Sequence, residues 1–97
     1  MLERLDLKGK VAIVTGGGTG LGREMAVHLA EAGADLAVAG RRSAPLEVVA
    51  REVRDLGRRA LAIPTDITDS DQVTHLVDSV LQSMDRMDVL VNNAGQP

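Results

Sequence analysis

The residues most able to do chemistry lie in one turn, Thr15-Gly16-Gly17-Gly18-Thr19-Gly20-Leu21-Gly22. That chemistry is anion binding. Glycines let a backbone turn sharply and approach a ligand with no Cβ in the way, and a helix starting there offers unpaired N–H groups and a partial positive charge to a pyrophosphate. The spacing is T-G-x-x-x-G-x-G, on Thr15, Gly16, Gly20 and Gly22. A G-x-G-x-x-G reading fails because its third glycine falls on Leu21 or Arg23, and a P-loop fails because no Gly-Lys-Ser/Thr follows. The plainer alternative is a tight connection with no ligand.

Three other groupings could contribute. Arg41-Arg42 follows the turn by about 20 residues, where an acid would accept hydrogen bonds from the ribose 2′-hydroxyl of NAD. A guanidinium there can instead grip a 2′-phosphate with two parallel charge-assisted bonds, which favours NADP(H) over NAD(H). The competing reading is a pair of solvated arginines in a turn. Asn92-Asn93-Ala94-Gly95 lies near the far end, and the plainer reading of its two asparagines is a turn closing a strand. His28 and His75 stand singly on helical stretches, so no metal constellation is expected.

Elements must hold these residues in place. Short apolar runs at residues 11–14, 36–39, 60–63 and 89–91 suit strands of a parallel sheet covered on both faces. Between them run helix-period stripes. Leu21, Met25 and Leu29 form the first, closed by Gly33. Leu46, Val49, Ala50, Val53 and Leu56 form the second, opened by Ser43 with Pro45 in its first turn and closed by Gly57. Val73, Leu76, Val77, Val80, Leu81 and Met84 form the third, preceded by Thr68-Asp69-Ser70-Asp71 as a source of cap oxygens and negative charge. The order β-α-β-α-β-α-β with right-handed crossovers predicts an α/β, Rossmann-type doubly wound sheet with strand order 3-2-1-4. Residues 1–97 read as a single partial domain with no linker or repeat.

Two motifs in order, residues 9–22 (Gly-Lys-Val-Ala-Ile-Val-Thr-Gly through Gly22), which hold the first strand and the turn after it, and residues 92–95 after the fourth strand, resemble the short-chain dehydrogenase/reductase family. Asp66-Ile67 after the third strand resembles a further family position. The likeness implies that the turn from Gly16 through Gly18, Thr19, Gly20 and Leu21 to Gly22 cradles the pyrophosphate and adenosine ribose. It implies that Asp66 contacts the adenine with the Ile67 main chain nearby, and that Asn93, Ala94 and Gly95 pass beside the cofactor. It also implies hydride transfer between a nicotinamide and a small carbonyl or alcohol by a serine, a tyrosine and a lysine, the last two as Tyr-x-x-x-Lys. Those residues follow the Asn-Asn-Ala-Gly motif in the family. Here only two residues follow Gly95, tyrosine is absent, and the only lysines are Lys8 and Lys10, so no catalytic residue can be named. The chain is thus expected to be the cofactor-binding front portion of a reductase or dehydrogenase; members acting on sugar acids, glucose or 3-oxoacyl thioesters are broadly similar.

Bulk composition excludes other classes. A net charge of −3 with no long basic run argues against a nucleic-acid partner. Cysteine is absent, so there is no disulfide framework or thiolate metal site. No apolar run approaches the roughly 18 residues of a membrane span, so the expected compartment is the cytoplasm. The family likeness suggests a homo-oligomeric parent, a tetramer or dimer. A fourth strand with one unpaired edge predicts that the isolated chain is marginally stable or self-associating. The alternatives are a non-catalytic nucleotide-binding or assembly module and an extended, epimerase-like relative; the latter usually spaces its glycines differently.

Overall fold

The computed structural model describes residues 6–93. Seven elements alternate along the chain: β1 (Val11–Thr15), α1 (Gly20–Glu31), β2 (Asp35–Gly40), α2 (Ser43–Asp55), β3 (Ala60–Pro64), α3 (Ser70–Met84) and β4 (Val89–Asn92). The strands form one parallel sheet in the order β3-β2-β1-β4, as the alternation predicts. The chain steps outward from β1 to β3, then returns across β1 to β4, so its crossovers cover opposite faces.

The two-residue period of the strands sorts the core. Ala12, Val14, Leu36 and Val38 point toward α1 and α2 and pack with Ala26, Ala30, Leu46, Val49 and Val53. Val11, Ile13, Ala37 and Ala39 point the other way and meet Leu76, Val80 and Met84 of α3. All of β1 is buried, as its apolar run Val11–Val14 requires, and the polar Thr15 at its end is buried with it.

Helix faces depart from the stripes in two places. The buried residues of α1 are Gly22, Ala26 and Ala30, one position round from the expected Leu21, Met25 and Leu29; Leu21 is 62% exposed. At Gly22 the reason is steric, because a Cβ there would meet the Gly16 carbonyl, and Leu29 still packs against the core from the flank while only partly buried. In α2, Leu46, Val49, Ala50 and Val53 are buried as expected, but Leu56 is the C-cap and is exposed. Ser43 is the first helical residue of α2; Arg42 occupies the N-cap position. In α3 the expected stripe is buried at Leu76, Val80 and Met84, while Leu81 faces outward.

Candidate cofactor-binding site

Register places the C-terminal ends of all four strands on one rim, with Thr15 beside Ala39 and Asn92, and Gly40 beside Pro64. This is the rim at which an open α/β sheet reverses strand order and leaves a crevice. The glycine turn spans from β1 to α1 along it. Gly16 and Gly20 have positive φ values of 64° and 58°, a conformation costly for any residue with a Cβ. Gly17 N–H donates to Ala39 O at 3.2 Å, which pins the turn over the end of β2. A Cβ on Gly18 would stand 2.9 Å from Cβ of Pro45, and one on Gly22 would collide with the Gly16 carbonyl.

The other side of the turn is tied to β4. Thr15 is buried, and its Oγ1 lies 3.0 Å from Asn92 Oδ1 and 3.4 Å from Val91 O, to which it can donate. The same oxygen accepts from Asn93 N–H at 3.0 Å, and Asn93 Nδ2 donates to Gly16 O at 3.4 Å. The asparagines therefore brace the first and fourth strands where the turn begins. Thr15, a candidate ligand residue from its spacing, directs its hydroxyl to β4 in this structure.

A cleft opens between the turn and the end of β2, lined by Gly16, Gly18, Thr19, Gly40, Arg41, Arg42, Pro45 and Leu46. Two helices begin at it. Thr19, the N-cap of α1, and Arg42, the N-cap of α2, make no side-chain cap bond, and neither first turn holds an acid. The amide ends of both helices are thus left for water or an anion. α3 behaves differently: Asp69 accepts from the amides of Asp71 and Gln72 and satisfies that terminus internally. Positive potential from two helix starts and two arginines converges on one cleft.

Asp66 stands just beyond β3, on the same rim. Its Oδ1 accepts from Thr68 N–H at 2.9 Å and Thr68 Oγ1–H at 2.6 Å, and lies 3.5 Å from Arg41 Nη2. Those hydrogen bonds from Thr68, with Arg41 a smaller contributor, hold the carboxyl below the usual carboxylate range. Ile67 is turned to the other face of the sheet, where it lines an apolar hollow with Ile13, Leu76 and Leu90. Ala94 and Gly95 lie outside the described residues. Sequence reasoning missed Pro45, which lies under Gly18, and Thr68, which fixes Asp66. The Asp-x-Thr spacing was a usable signal for the second, since aspartate commonly accepts from the backbone two residues on. Among the described residues no group of histidine and acidic side chains could hold a metal.

Comparison with known proteins agrees with this geometry. The family model described as short chain dehydrogenase matches residues 10–97. The 7alpha-hydroxysteroid dehydrogenase of Escherichia coli (strain K12) is 39% identical over 93 residues, covering 96% of this chain and 36% of its own. A solved NAD+-bound xylitol dehydrogenase superposes with a TM-score of 0.89 at 37% identity, over 93% of this chain and 35% of that one. L-sorbose reductase from Gluconobacter frateurii, solved with NADPH and L-sorbose, gives 0.89 at 34% identity, over 95% and 35%. The chain belongs to the short-chain dehydrogenase family. It spans about a third of the length of the curated relatives it matches.

Proposed function

We propose that residues 1–97 are a partial dinucleotide-binding domain of an oxidoreductase that moves hydride between NADP(H) and a small carbonyl or alcohol. The observation that carries the reading is the cleft, where two uncapped helix starts and Arg41-Arg42 converge and a Cβ-free backbone leaves room for a pyrophosphate. In this reading Gly16, Gly18, Thr19, Gly20, Leu21 and Gly22 hold the pyrophosphate through backbone amides. Asp66 and the main chain at Ile67 hold the adenine, and Asn93, Ala94 and Gly95 run beside the rest of the cofactor. Thr15 keeps the turn in place through β4. When bound, the nicotinamide donates or accepts the hydride.

The choice of NADP(H) rests on the end of β2. Gly40-Arg41-Arg42 offers no carboxylate to a ribose 2′-hydroxyl, while a guanidinium can take a 2′-phosphate bidentately. The two solved relatives, one bound to NAD+ and one to NADPH, show that family membership does not decide this point. The test is calorimetric titration of the chain with NADPH and NADH. NADPH is expected to bind about tenfold more tightly, the worth of one charge-assisted pair at an exposed site. Equal affinities would overturn the NADP(H) preference, and binding of neither would overturn the cofactor-site reading.

We further propose a cytoplasmic enzyme that works as a homodimer or homotetramer. Among the described residues no helix is long and apolar enough to cross a membrane, which is compatible with that placement. Sedimentation of the whole protein tests the assembly: a monomer at micromolar concentration would refute it.

A further inference from the structure

Arg41 is the residue on which cofactor choice rests in the reading above, and it already has a partner. Its Nη2 lies 3.5 Å from Asp66 Oδ1, a contact set up by the parallel register that places Gly40 beside Pro64. The carboxylate is not free to swing away. Thr68 donates to the same Oδ1 through both its amide and its hydroxyl, at 2.9 and 2.6 Å, and Asp66 N–H donates to Gln72 Oε1 at 2.8 Å. Arg41 is the more exposed member, its side chain 73% exposed against 37% for Asp66, and among the described residues this carboxylate is its one ion-pair partner. Arg42, its neighbour, has no ion pair within reach among the described residues.

We propose that Asp66 is a specificity-determining residue that acts through Arg41. It holds the guanidinium in the free chain, and a 2′-phosphate must draw Arg41 off this anion before gripping it. Asp66 therefore lowers the advantage of a 2′-phosphorylated nucleotide over an unphosphorylated one, and the Asp66–Arg41 pair sets how sharply the site discriminates. The inference rests on the reading of Arg41 as the 2′-phosphate ligand.

The test is isothermal titration of the full chain with adenosine 2′,5′-bisphosphate and adenosine 5′-monophosphate, scored as the ratio of the two Kd values. A general loss of folded protein would affect both nucleotides, so the ratio isolates discrimination; circular dichroism melts confirm that each variant is folded. Asp66→Asn, which keeps an oxygen for Thr68 and the adenine, is expected to raise the preference for the bisphosphate about threefold, the scale of an exposed ion pair. Asp66→Ser carries the same expectation should the asparagine variant fail to fold. Arg41→Ala should lower the preference about tenfold. Adding Asp66→Asn to Arg41→Ala should then change nothing, whereas adding it to Arg42→Ala should still give the gain. If Arg41→Ala leaves the ratio unchanged, the 2′-phosphate reading fails and the inference with it. If Arg41→Ala lowers the ratio but Asp66→Asn does not raise it, or raises it equally without Arg41, the inference alone is overturned.

Discussion

At the scale of single residues, the glycine turn constrains its positions in two separable ways. Gly22 is limited by space: a Cβ would strike the Gly16 carbonyl oxygen and come within 2.8 Å of Gly16 C and 2.9 Å of Asn93 Nδ2. Backbone atoms cannot step aside, so Gly22→Ala is expected to lower stability by about 3 kcal/mol in chemical denaturation, the upper end for overpacking. Gly20 is limited by conformation alone, since nothing lies within 4 Å of its added Cβ while φ is +58°. Gly20→Ala should cost only about 1 kcal/mol. If the two variants proved equally destabilised, the distinction between space and conformation would be wrong. Thr15 gives a third test. Thr15→Val keeps the shape but strands the Asn93 amide and removes the hydroxyl facing Asn92, at a cost of about 2 kcal/mol. Thr15→Ser should recover most of that loss in a thermal melt, and a valine variant as stable as the parent would dismiss the bracing role.

Among the elements, the link from α3 into β4 shows how a surface group can set strand pairing. Asp88 accepts from Val11 N–H at 2.9 Å and Asp88 N–H donates to Val11 O at 2.8 Å, so this residue aligns β4 with the start of β1. Arg86 grips the same carboxylate with two bonds of 2.8 Å. Mainly through Arg86, then through the Val11 amide, the carboxyl falls from its ordinary 3.8 to about 2. A carboxyl whose value is lower in the folded state adds stability above its unfolded value, and that contribution is lost as pH falls from near 3.8 toward 2. Asp88→Asn is therefore expected to flatten the acid limb of the stability curve in that window and to leave the slope near neutrality unchanged. An acid limb identical in parent and variant would show that Asp88 is not linked to folding. The arrangement of helix starts belongs to this scale too: α3 is capped by its own Asp69, while α1 and α2 leave their amide ends to the cleft.

Over the whole molecule, the two faces of the sheet are unequally covered. α1 and α2 bury one face, whereas α3 alone meets the other and leaves an apolar hollow lined by Ile67, Val73, Leu76, Met87 and Leu90. Among the described residues β4 pairs only with β1, and Leu90 on that strand is 59% exposed. An open strand beside apolar surface favours pairing with another copy. The 97-residue polypeptide studied alone is thus expected to self-associate as concentration rises in sedimentation equilibrium, and Leu90→Lys should weaken that association. A monomer at every concentration, with a sharp cooperative melt, would count against the expectation.

The sequence by itself determined the order of elements, the parallel sheet and the position of the glycine turn. Those properties follow from local periodicity and from glycine's lack of a Cβ, both readable along the chain. It also supplied Arg41 and Arg42 as candidates, because a guanidinium after the second strand suits a 2′-phosphate, whereas Asp66 and the asparagines came from the family resemblance of their motifs. Only the tertiary structure decided which face of α1 is buried. The apolar stripe names Leu21, Met25 and Leu29, yet the fully buried residues are Gly22, Ala26 and Ala30, and at Gly22 the Gly16 carbonyl leaves no room for a side chain, a contact that hydrophobic periodicity does not encode. The same is true of the pairings across the rim. Thr15 with Asn92 and Asn93 is a contact between residues some 77 positions apart, and Arg41 with Asp66 depends on parallel register between β2 and β3. Side chains distant in sequence meet only when strand pairing brings their backbones together.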